Sequence, residues 1–184
     1  MSAWSLDASD GELRLRTGVT GRAARMGHRL TIAVTRWTAT VQWDGAEPVT
    51  VELVAQTGSL QVLSGEGGVK GLSDAEKSVA RSNALRSLDG GRFPEIRFAA
   101  NTREKIAKTG DGYRLTGVLE IRGRSREHVI DLRTEDLGDS WRMSAESSVR
   151  QTDYGIKPFS MLMGSVRVAD DVTVSFTAVH VKDG

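Results

Sequence analysis

A chain of 184 residues with 39% hydrophobic and 27% charged side chains holds enough material for one packed core and has the balance of a globular protein. Its formal net charge of +1, with both signs interspersed and no basic block beside an aromatic cluster, excludes a nucleic-acid footprint. With no cysteine there is no disulfide framework, no thiolate metal site and no cysteine nucleophile, which fits a reducing compartment.

Residues 1–10 are polar and predict loose chain. Leu13 and Leu15 alternate with Arg14 and Arg16, a first strand. TGVTGRAARMG (17–27) is Gly-rich and basic and reads as a loop; it lacks the Gly-Lys-Ser/Thr ending of a phosphate loop. Leu30, Ile32 and Val34 form the next alternating run. After Arg36 the pattern resumes with Trp37, Ala39, Val41 and Trp43 on one face, and Asp44-Gly45 marks a turn. Val49, Val51, Leu53 and Ala55 follow, then a short piece around Leu60 and Val62. The Gly-rich run 65–71 reads as a solvated linker or an anion-holding approach to a helix.

Ser73 three residues before Glu76 is a capping box, and Asp74 and Glu76 suit the positive end of the helix dipole. Val79, Ala80, Ala84, Leu85 and Leu88 give a narrow apolar stripe, so one amphipathic helix should run from near Ser73 to Gly90-Gly91. It either plugs one end of the fold or also borders a cavity. Ile96, Phe98 and Ala100 then begin a strand, Tyr113 to Ile121 alternates, and Ile130 with Leu132 faces inward. Trp141, Met143, Ala145, Ser147 and Val149 share a face, as do Val172, Val174, Phe176 and Ala178. Between them RQTDYGIKPFSMLMG (150–164) breaks the pattern and crowds Ile156, Phe159 and Met161 together, either over an apolar site or as core filling.

Eight or so period-two strands with one helix predict an all-β fold in a single domain over 1–184. An antiparallel eight-stranded lipocalin-like barrel, with the amphipathic helix near its mouth, buries the inner face and removes the edges. Small residues at Ala39, Ala55, Ala100, Gly117, Ala145, Ser147 and Ala178 fall on that inner face, from taper or from a tunnel. In the tunnel reading its walls are Trp37, Trp43, Phe98, Leu115, Trp141, Met143 and Phe176, with Ile156, Phe159 and Met161 folded over it. Arg86, Arg150, Tyr154 and His28 are candidates for the polar end of a ligand at the mouth, with Asp153 capping the bend.

FPEIRF (93–98) after a helix, DGYRLTGVLEIRGRSREHVIDL (111–132), TDYGI (152–156) and VADDVTVSFTA (168–178) resemble the YceI-like family of lipocalin-like isoprenoid-binding proteins. The resemblance covers about Leu13 to Val181. It implies a barrel around a long apolar channel that holds a polyisoprenoid, a quinone tail or another fatty amphiphile, and a homodimer in many members. Gln151 stands where many members have an Arg, with Arg150 adjacent.

Three separate histidines, no nucleophile elbow and no ligand spacing argue for a binding or carrier protein without cofactor or metal; an enzyme acting on a hydrophobic small molecule is the alternative. No run approaches the ~20 apolar residues of a membrane span. The N-terminus MSAWSLDASDGEL has no apolar run, so the expected location is the cytoplasm.

Overall fold

The computed structural model describes residues 1–183. Its alternating segments form β1 (Ser2–Asp7), β2 (Gly11–Thr20), β3 (His28–Val34), β4 (Trp37–Asp44), β5 (Glu47–Gln56), β6 (Leu60–Gly67) and β7 (Glu95–Ala100). After these come β8 (Ile106–Lys108), β9 (Gly112–Ile121), β10 (Arg124–Asp136), β11 (Ser140–Arg150), β12 (Ser160–Met161) and β13 (Val166–Val181). The single α-helix, α1, spans Asp74–Leu88. All strands join one antiparallel sheet in the order β1-β4-β5-β7-β9-β10-β11-β13-β2-β3-β6, with β8 on β9 and β12 on β13.

Thirteen strands replace the eight expected, because two long strands are broken and three short ones add to the wall. The break is a corner. β3 runs into β4 through Thr35-Arg36, and β5 runs into β6 through the tight turn Thr57–Ser59, so the four strands are one bent hairpin. Its pairing continues through the bend: the Gln56 N–H donates to the Arg36 carbonyl at 2.9 Å and the Thr35 N–H to the Ser59 carbonyl at 3.1 Å. One arm pairs with β2 and the other with β7, which brings the two ends of the sheet together and curls it. Thr57 and Ser59 are buried there and satisfied: Thr57 Oγ1 donates to the Phe93 carbonyl and Ser59 Oγ to that of Gln56.

The N-terminal ten residues are not loose chain. Trp4 and Leu6 alternate with polar neighbours, Leu6 is buried, and Trp4 stacks on His180 with ring centroids 4.0 Å apart. Asp170-Asp171 lies inside β13 where its register with β2 slips between Val168 and Val172. Asp170 there accepts from the Thr152 N–H and hydroxyl, tying down the irregular segment.

The wall has one seam. β10 pairs with β11 only through Arg133–Asp136 against Trp141–Ser144. Beyond that His128 reaches Ser147 across the gap, and Arg126 of β10 and Arg122 in the turn before it donate to the carbonyls of Asp153 and Gly155 in the segment after β11.

The capping box forms as expected. Ser73 Oγ accepts from the Glu76 N–H at 3.2 Å, and the Glu76 carboxylate accepts from the Ser73 N–H at 2.7 Å. These bonds hold the Glu76 carboxyl below its usual range. The helix ends one residue early, at Asp89 in the left-handed region (φ 50°), with the Gly90 N–H returning to the Leu85 carbonyl. Arg81 docks α1 on the corner, donating at 2.7 Å to the carbonyls of Leu60 and Gly58.

Candidate ligand-binding cavity

Inside the curled sheet is a cavity of about 740 Å³. Strand parity builds its wall: alternate residues such as Ile32 and Val34 on β3, Met143 and Ala145 on β11, and Val174 and Phe176 on β13 point into it. α1 crosses it with two rows at helical spacing, Ala75-Val79-Asn83-Ser87 and Glu76-Ala80-Ala84-Leu88. No residue of this helix is fully buried, since it faces space rather than packed side chains.

Eight of the sequence-selected residues come together on the lining: His28, Phe98, Leu115, Met143, Ile156, Phe159, Met161 and Phe176. The three tryptophans do not. Trp37 is buried in the core edge-to-face on Phe176 (centroids 5.3 Å apart), Trp43 packs on Trp4, and Trp141 lies under the Lys182 ammonium. Parity places all three on the inner face, but where the sheet closes that face meets another wall instead of open space. Tyr154 is buried among Phe98, Leu115 and Ile156. Arg86 is exposed on α1 away from the lining, and Arg150 is an exposed partner of Asp171 at 3.6 Å. Neither Arg meets a molecule held in the cavity.

The small inner residues divide the same way. Ala39, Ala55, Ala145 and Ser147 line the cavity, whereas Ala100 and Ala178 are each 1% exposed and packed within the wall. At Gly117 an added Cβ would sit 2.4 Å from the Phe98 ring, so glycine there admits a ring.

Polar contact with the cavity comes from His28, which the sequence selected, and from His128, which it did not. His128 shares the parity of Ile130 and Leu132, which was the available signal. Its Nε2 lies 3.1 Å from Ser147 Oγ, and burial pushes its imidazole below the ordinary 6.5, keeping it neutral at pH 7. Near the other end His28 Nε2 is 2.6 Å from the Lys70 carbonyl. Among the described residues the only carboxylates on the lining are Glu76, engaged in the helix cap, and Glu52, paired with Arg97 at 2.6 Å, and no Lys or Arg lines it. The interior therefore offers apolar surface and a few neutral hydrogen-bonding groups, with no free charge among the described residues.

His128 and Ser147 have the spacing of a base and a nucleophile, but no described side chain holds the other ring nitrogen. Among the described residues no three His, Asp or Glu are grouped to hold a metal ion. No helix is long and apolar enough to cross a membrane.

A family model, the YceI-like domain, matches residues 4–180. Among solved structures the chain is similar to BcnA of Burkholderia cenocepacia, with 16% identity and a TM-score of 0.70 over 96% of this chain and 99% of that one. It is also similar to a YCEI protein of Campylobacter jejuni, with 14% identity and a TM-score of 0.60 over 83% of this chain and 85% of that one. No curated protein matches the sequence.

Proposed function

The chain belongs to the YceI-like domain family, and from that premise we propose that it is a non-catalytic carrier for a long apolar amphiphile held in the barrel interior. The observation that carries the reading is the cavity of about 740 Å³ with its almost wholly apolar lining. That volume falls in the range of small-molecule sites, roughly 300–1,000 Å³, and an apolar wall selects an apolar guest. With no cation inside, a buried carboxylate or phosphate would be left unpaired, so the guest that fits has a neutral end. A polyisoprenoid or a quinone tail meets both conditions, with a carbonyl or hydroxyl set against His128 and Ser147. The absence of cysteine supports a reducing compartment such as the cytoplasm.

The test is recovery of the native guest. Organic extraction of the purified protein followed by mass spectrometry should yield a neutral isoprenoid or similar lipid, and His128→Leu should weaken retention of guests with a polar end more than of pure hydrocarbons. Failure to recover any lipid, together with failure of folded protein to bind a fluorescent polyprenyl probe, would overturn the carrier reading. Labelling of Ser147 by a fluorophosphonate would instead support the enzyme alternative, since only an activated hydroxyl reacts.

A further inference from the structure

Three loops meet at the open end of the cavity: 21–27 after β2, 67–72 before α1, and 162–165 before β13. They are held side by side, since the Ala23 N–H donates to the Ser165 carbonyl at 2.9 Å and His28 Nε2 lies 2.6 Å from the Lys70 carbonyl. Their surface is apolar. Met26, Val69, Leu162 and Met163 are exposed here, with Met161 of β12 and Val79 of α1 beside them, and Met163 is fully in water. Met26, Val79 and Met161 also line the cavity, so the apolar surface runs unbroken from interior to rim.

Two further observations show what this rim faces. Leu162 and Met163 are held at φ 50° and 56°, ahead of Gly164 at φ 85°. Left-handed backbone is costly for residues with a Cβ, and here it keeps two large apolar side chains in solvent instead of folding them inward. The charge around the rim is also mainly positive. Residues 21–29, 66–76 and 160–167 carry five cations, Arg22, Arg25, Arg29, Lys70 and Arg167, against three carboxylates, Glu66, Asp74 and Glu76, and of these Glu76 is engaged in the helix cap near Lys70. Among the described residues only Arg29 of these five lies within ion-pair distance of an acid, Glu66 at 3.9 Å.

We infer that this rim is a docking surface for an anionic lipid bilayer, through which a guest passes between membrane and cavity. Exposed Met and Leu enter the boundary between headgroups and chains while a ring of Arg and Lys meets the lipid phosphates. A second copy of the chain is the poorer occupant, because a two-fold contact would set the same five cations against each other. The guest-transfer part rests on the carrier reading above; the docking itself does not.

Flotation with vesicles of phosphatidylcholine, alone or mixed with phosphatidylglycerol, tests it. The protein should float with the mixed vesicles, weakly or not at all with the neutral ones, and salt should release it. Arg22→Ser with Arg25→Ser should lower partitioning roughly 30-fold, at about fivefold per basic residue. Leu162→Ser with Met163→Ser should also abolish flotation, and both pairs lie on exposed sites where folding is unaffected. Variants that still bind a polyprenyl probe in detergent but no longer take it from mixed vesicles would establish the rim as the route. For the wild-type protein, no flotation with the probe still bound identifies a failed docking surface, whereas flotation with no probe bound identifies a failed carrier reading. Absence of wild-type flotation, flotation indifferent to phosphatidylglycerol, or a dimer that both variant pairs dissociate would overturn the proposal.

Discussion

Ala145 and Ala178 share a face by parity and sit on paired strands, yet one borders empty space and the other does not. Ala145→Leu adds methylene groups to the cavity. Each contributes about 0.8 kcal/mol of burial, so the free protein should keep or gain thermal stability while binding of a long chain falls sharply. Ala178 is packed where its neighbour Gly11 has no room even for a Cβ, so Ala178→Leu should overpack the wall and cost about 1–3 kcal/mol. Opposite signs in paired melting curves are the expected outcome; destabilisation by both would mean that the interior is solid. This distinction was not legible in the sequence, where alternation reports which face is inner but not whether anything opposes it. For the same reason Trp37 reads as tunnel wall and is core, and Trp43 reads as tunnel wall and packs half-buried on Trp4, while His128, dismissed as a lone histidine, reaches the cavity.

At the scale of elements, α1 packs Ala80, Ala84, Leu85 and Leu88 on the core but is held by few hydrogen bonds. It buries no residue completely, and Arg81 gives it two of its few bonds to the corner. Hydrogen bonds from a charged group are worth about 1.5–3 kcal/mol. Arg81→Ala should therefore speed amide exchange across residues 74–88 by roughly tenfold or more, at 1.4 kcal/mol per factor of ten, and leave β9 and β13 unchanged. A uniform increase over the whole chain would show instead that α1 opens only with the barrel. The start of this helix was legible because a capping box is local chemistry. Its facing row was less so: it carries Glu76, Asn83 and Ser87 beside the apolar residues, a mixed face that suits a cover over a cavity. Leu85 packs against the core with Ala80, Ala84 and Leu88, as the stripe expects, close to Gly90 at the helix end.

Over the whole molecule, a guest that binds only the folded barrel should raise its melting temperature. At a free concentration of about 100 times Kd the linkage is worth roughly 2.7 kcal/mol, and for a chain of this size each kcal/mol moves the midpoint about 2–4 °C. Stripping lipid from the purified protein should lower the transition by several degrees and adding back a neutral isoprenoid should restore it; an unmoved transition would mean that the cavity holds nothing in solution. The antiparallel barrel itself was legible from period-two runs and turn residues. The corner was legible only as breaks in alternation after Val34 and Ala55; that the broken strands stay paired across Thr35-Arg36 and Thr57–Ser59 is a tertiary fact that no local pattern carries, and that bend accounts for two of the extra strands. The seam between β10 and β11 works as an expansion joint. Beyond Ser144 it has no backbone ladder to break, only bonds such as His128 to Ser147 and Arg126 to the Asp153 carbonyl, so widening the barrel there would cost less than widening it at any fully paired strand. A container with an elastic wall does not measure its contents, and a spread of chain widths, rather than one sharply selected guest, is what it would collect.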